Sequence, residues 1–73
     1  MTRDEHLEWA KNRALEILNA GDNEGAFTSM LSDLSKHHEL QNHPGMMIGA
    51  GMIFIPNWMS NTEEIRRWIK GFN

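Results

Sequence analysis

The sequence contains no cysteine, which excludes disulfide staples, thiolate chemistry and cysteine-ligated zinc together. It has little net charge: seven Lys and Arg against ten Asp and Glu leave −3. That sign is wrong for a nucleic-acid footprint, which is normally basic, and the value is too small for a carboxylate-dense DNA mimic. No nucleic-acid partner is expected. The uncharged apolar run from Gly45 to Ile55 is too short to span a bilayer, which needs about 20 residues, so no membrane role is expected either. The opening MTRDEHLEW is charged and lacks the apolar core of a secretory signal. These absences point to a soluble protein with a cytoplasmic location. The chain also lacks H-E-x-x-H and any glycine-rich elbow around a serine, the usual marks of a zinc hydrolase and of a serine nucleophile.

What is present is a 73-residue chain, read as a single helical domain over 1–73. A chain this short buries only about 60% of its unfolded surface and is marginal unless something staples it. With no disulfide available, self-association is the remaining route to stability. The most distinctive stretch is Pro44–Trp58, PGMMIGAGMIFIPNW, uncharged and with a proline near each end. The flanking segments each offer one apolar stripe, so the expectation is that they close around this stretch.

Thr2 and Glu5 form the T-x-x-E pattern of a capping box, with Asp4 adding negative charge to the first turn. Leu7, Ala10, Ala14, Ile17 and Leu18 follow at helical spacing, with Leu15 at the edge of the stripe. This predicts a first helix from about Arg3 to Asn19, stopped by Gly21 in a left-handed conformation. Asp22 or Asn23 caps a second helix striped by Phe27, Met30, Leu31 and Leu34, and the short connection folds the two into an antiparallel hairpin. Glu39–His43 reads as a polar linker. Asn61 with Glu64, or Ser60 with Glu63, caps a last helix whose stripe is Ile65, Trp68, Ile69 and Phe72, ended by Gly71. Arg66, Arg67 and Lys70 lie on its outer face and in its last turn.

The third segment is read as a short apolar helix from Pro44, capped by Asn42 or His43, to about Phe54. Glycines at 45, 49 and 51 oppose it, each at about 1 kcal/mol relative to alanine. The alternative is α+β, with a strand at 52–55 pairing across a dimer. Gly45-x-x-x-Gly49 would let a neighbouring helix approach closely. The fold class is therefore all-α: a small bundle of a helical hairpin, a short apolar helix and a C-terminal amphipathic helix.

Two resemblances bear on this reading. A-L-E-x-L-x-A-G-D-x-x-G-A-F, residues 14–27, is similar to a tetratricopeptide-type hairpin, but one hairpin is not an array and no second copy follows. More of the chain, through TRDEHLEWAKNRALE, AGDNEGAFTSMLSDLSKH with HPG soon after, and EEIRRWIKGFN, resembles a group of short, uncharacterised bacteriophage proteins. That resemblance implies a phage-encoded accessory protein acting in the host cytoplasm, and it carries over no active site.

Candidate sites follow from the residues themselves. His37, His38 and His43 fall within seven residues, with Asp33 one turn before His37. They are the candidates for a metal- or small-ligand-binding module, although a structural zinc needs four ligands in a tetrahedron. A helix end and polar loop account for them as well. Carboxylates at 5, 8, 16, 63 and 64 are accounted for by caps and solvated faces. Ser29, Ser32 and Ser35 recur on one short helix, where they cannot assume triad geometry with His37, and read as a small polar face. Arg66, Arg67 and Lys70 read as a solvated face, because Trp68 belongs to the buried stripe. Trp9 stands nearly opposite that of the first helix, and tryptophan is enriched at binding hot spots. Methionines cluster around the central segment and suit an adaptable surface. The candidate interface is thus Trp9, Met46, Met47, Met52, Ile53 and Phe54. The expected function is a non-catalytic protein-interaction module that self-associates and binds a host or phage protein, with no enzyme activity and no cofactor.

Overall fold

The computed structural model describes residues 2–73. Among these residues four helices form: α1 (Arg3–Asn19), α2 (Asn23–Ser35), α3 (Pro44–Met52) and α4 (Thr62–Lys70). They form a small all-α bundle with no strand among the described residues. Among the described residues no helix is long and apolar enough to cross a membrane.

Local chemistry sets the helix ends. Thr2 Oγ1 accepts the Glu5 N–H at 3.1 Å and the Glu5 carboxylate accepts the Thr2 N–H at 3.0 Å, so the capping box is reciprocal. After Asn19 the chain turns through Gly21 at φ 92. The Gly21 N–H donates to Leu18 O at 2.9 Å and the Asp22 N–H to Ile17 O at 3.2 Å, the crossed pair of a Schellman ending. Asp22 then caps α2, its carboxylate accepting the Gly25 N–H at 2.8 Å. The hairpin is as expected, and so is the Asn61 cap of α4, whose side chain accepts the Glu64 N–H.

The core lies among α1, α2 and α4. Leu7, Ala10, Ala14 and Leu18 of α1 meet Ala26, Phe27, Met30 and Leu34 of α2, the alanines letting the hairpin close. The α4 stripe of Ile65, Trp68, Ile69 and Phe72 is buried in full. Ile17 and Leu31, read as stripe residues, are only half-buried. Two core residues come from irregular segments: Leu40 in the turns after α2 and Trp58 after α3. Trp58 is reached by a tight turn in which Pro56 leads and Asn57 takes φ 67, closed by the Trp58 N–H on Ile55 O at 3.2 Å. Proline followed by a residue of positive φ is the pattern of a type II turn.

The segment from Pro44 is a helix, and 53–55 continue as tight turns and not as a strand. The expectation that the other helices close around this stretch is overturned. Within α3 only Gly49 is buried, and the remaining helices close on one another. The reason is steric. The inner face of α3 carries glycine where a core helix would carry a large side chain. A Cβ on Gly49 would stand 2.5 Å from Cζ2 of Trp68, and one on Gly45 would stand 2.8 Å from Cε2 of Phe72. The backbone of α3 therefore rests directly on the Trp68 ring of α4 and the Phe72 ring just after it, the close approach expected from Gly45-x-x-x-Gly49. The Trp68 indole N–H completes the seat by donating to Gly45 O at 2.9 Å.

Candidate functional site

Seating α3 by its glycines turns its larger side chains outward. Met47 is 78% exposed, Phe54 83%, Ile48 55%, Ile55 53% and Ile53 48%. Around the helix axis, at about 100° per residue, Gly45, Gly49 and Met52 point inward. Met47, Ala50 and Gly51 point outward and Ile48 stands at the flank, while the exposed Ile53, Phe54 and Ile55 follow in the turns after the helix. No Lys, Arg, Asp or Glu occurs between Glu39 and Glu63, so the segment itself carries no charge, while Arg67 and Glu64 of α4 stand at its edges beside Ile48 and Ile55. It continues past the helix into an open groove of about 400 Å³ between Ile53–Pro56 and Met59–Ser60. Taking about 200 Å² for a large side chain, the five exposed residues present roughly 600 Å². That is the upper end of what a monomer leaves in one patch.

The sequence candidates divide accordingly. Met47, Ile53 and Phe54 lie on this face. Met46 and Met52 are half-buried and pack against the core. Ile48 and Ile55, outside the sequence set, are also exposed; Ile48 stands one turn on from Gly45 and Ile55 lies in the turns after α3, so no helical period marks them. Trp9 is not a bare outer residue. It is half-buried and packs against the core, with the Arg13 guanidinium 4.9 Å from its ring centre and His6 5.2 Å away. It stands on α1 and not among the α3 residues.

The histidine candidates are spread over structural tasks. His43 caps α3: its Nδ1 accepts the Gly45 N–H at 2.9 Å. Nε2 must then carry the hydrogen, which it donates to Asn73 O at 2.9 Å, and both ring nitrogens are occupied. His37 Nδ1 accepts the Glu39 N–H at 3.2 Å, and its ring stacks on exposed His38 at 5.4 Å. Among the described residues no three His, Cys, Asp or Glu side chains are grouped to hold a metal ion. Of the serines, Ser29 donates to Asp33 Oδ2 at 3.3 Å and Ser35 to Ser32 O at 2.8 Å. Arg66 pairs with Glu63 and reaches Asn19 Oδ1 at 3.0 Å, while Arg67 pairs with Glu64 at 3.0 Å.

Asp33 is the buried charge of the core, 2% exposed. Arg13 Nε lies 3.3 Å from Oδ2 and Lys36 Nζ 3.4 Å from Oδ1, while His6 Nε2 donates to its backbone carbonyl at 2.6 Å. Arg13 thus bridges Asp33 and Trp9, and this cluster fastens α1 to the end of α2. The sequence signal for it was position: Asp33 follows Phe27 and Met30 at helical steps, on the buried side.

No protein family, no curated protein and no solved structure matches this chain.

Proposed function

We propose that this chain is a non-catalytic protein-interaction module whose working surface is the outer face of α3 and the turn that follows. One observation carries the reading: a helix apolar on every side is covered on one side only. Helices apolar all round are normally buried all round, and the uncovered side here, with the turn after it, exposes an apolar patch at the upper end of what a monomer leaves open. The groups a catalyst would draw on have structural employment, since His43 caps α3, Asp33 is paired to Arg13 and Ser29 binds Asp33. The resemblance to short bacteriophage proteins supports placing the module as a phage accessory protein in the host cytoplasm, where its partner is a protein of the host, of the phage or its own kind.

The test is capture by a tagged chain, from host lysate and from cells co-expressing an untagged copy. Phe54→Asp is the comparison, because Phe54 is exposed and its loss leaves the core intact. The reading expects at least one protein, the untagged copy included, retained by the parent and lost with Phe54→Asp. Identical capture by both chains contradicts it.

A further inference from the structure

We infer that the occupant of the α3 face is a second copy of this chain, packed α3 on α3 about a twofold axis at Gly51. This rests on the reading that the face binds protein and names what it binds.

Three observations point to the same partner. The first is relief. A Cβ on Gly51 would meet nothing within 4 Å, so Gly51 and the neighbouring exposed Ala50 make a notch in the outer face. Met47 stands out four residues before Gly51, and Phe54 three residues after it, in the turn that follows α3. Two α3 helices crossing antiparallel at their notches place Phe54 of each copy against the partner's Met47. Projection and recess therefore lie on one patch, which is what a twofold interface requires, since each copy offers the same surface to the other.

The second observation is the lack of charge. A foreign partner is commonly selected by charges arranged against its own, and this segment offers none from Leu40 through Thr62. An uncharged patch presents no like-charge repulsion to its own copy. The third is area. The roughly 600 Å² of the five large side chains, with Ala50, Gly51 and Pro56 added, approaches the roughly 800 Å² per partner of a standard stable interface. A dimer would also cover the surface that a marginal chain of this size leaves open.

Sedimentation equilibrium of the full chain across the micromolar range reads the result, with circular dichroism to confirm folding. The parent is expected as a dimer at tens of micromolar. Phe54→Asp should remain helical and weaken association by roughly thirtyfold or more, the effect of losing one hot-spot side chain. Gly51→Leu separates association from folding. It has space in the monomer and replaces a glycine within a helix, so its helix content should be kept or raised, while the filled notch abolishes the dimer. A parent that is folded and monomeric at tens of micromolar overturns the inference, and so does Gly51→Leu dimerising as tightly as the parent. In either case the broader reading stands if a foreign protein is captured by the parent and lost with Phe54→Asp, and it falls if capture is indifferent to Phe54.

Discussion

Gly49 lies flat against the indole of Trp68, so close that a Cβ there would come within 2.5 Å of Cζ2. The absence of one side chain thus fixes which way an entire helix faces. With its glycines on the Trp68 and Phe72 rings, α3 turns Met47 to the outside and Ile48 to its flank, and Phe54 follows, exposed, in the turn after it.

A first prediction contrasts two glycines of the same helix. Gly49→Ala forces α3 away from Trp68 and is expected to cost about 1–3 kcal/mol, the usual range for overpacking. In the single chain Gly51→Ala adds its methyl to open space, and at a concentration low enough to keep the chain monomeric it should gain up to about 1 kcal/mol from helix propensity. Thermal melts of the two variants should shift in opposite directions. Equal shifts would mean that α3 does not rest on Trp68.

The second prediction concerns Gly21. At φ 92 a β-branched side chain is strained, so Gly21→Val should destabilise the hairpin by more than about 1 kcal/mol. For a domain of this size that lowers the melting temperature by roughly 4–8 °C per kcal/mol. An unchanged melting temperature would remove the Schellman ending from the account.

Asp33 supplies the third. Asp33→Ala removes the acceptor shared by Arg13, Lys36 and Ser29, although Arg13 and Lys36 are themselves about half exposed and regain water. The expected loss is about 1–3 kcal/mol, read from the urea midpoint. Asp33→Asn, which can still accept from Ser29, should lose less. If Asp33→Ala unfolds at the parental midpoint, the cluster does not fasten α1 to α2.

The fourth is a pH dependence. The Thr2 backbone N–H, then the Thr2 side chain, hold the Glu5 carboxyl below its ordinary value. A carboxylate depressed by folding contributes stability that is present above its unfolded pKa and is lost as pH falls through the lower folded one. On the acid limb of a melting-temperature profile, Glu5→Gln should therefore remove part of the decline. A profile parallel to the parent across that limb would show the capping box to be without weight.

The elements of the fold were legible where the information is local. Thr2 with Glu5, Gly21, Asp22 and Asn61 are caps that act within a few residues, and the stripe Ile65, Trp68, Ile69 and Phe72 keeps its period and is buried as read. The position of α3 was not legible, because hydrophobicity states that a surface wants cover without stating what covers it. Gly45-x-x-x-Gly49 did announce a close approach, but Trp68 and Phe72 as its seat are set by tertiary packing. Leu40 and Trp58 enter the core from turns, where no period marks them. The burial of three candidate residues was not legible for related reasons: Met46 and Met52 are half-buried against the core, and Trp9 is half-buried with Arg13 one turn away over its ring.

The account's central claim is that protein covers the outer face of α3 in solution, and methionine oxidation addresses it directly. Met47 is 78% exposed in the single chain and Met30 fully buried, and oxidation of the thioether follows exposure. With dilute peroxide and peptide mass spectrometry across a concentration series, Met30 should stay protected throughout. Met47 should oxidise as freely as an unfolded methionine at the lowest concentration and become protected as concentration rises, or on addition of a captured partner. Met47 oxidising at the free rate at every concentration and with every captured protein would contradict the claim.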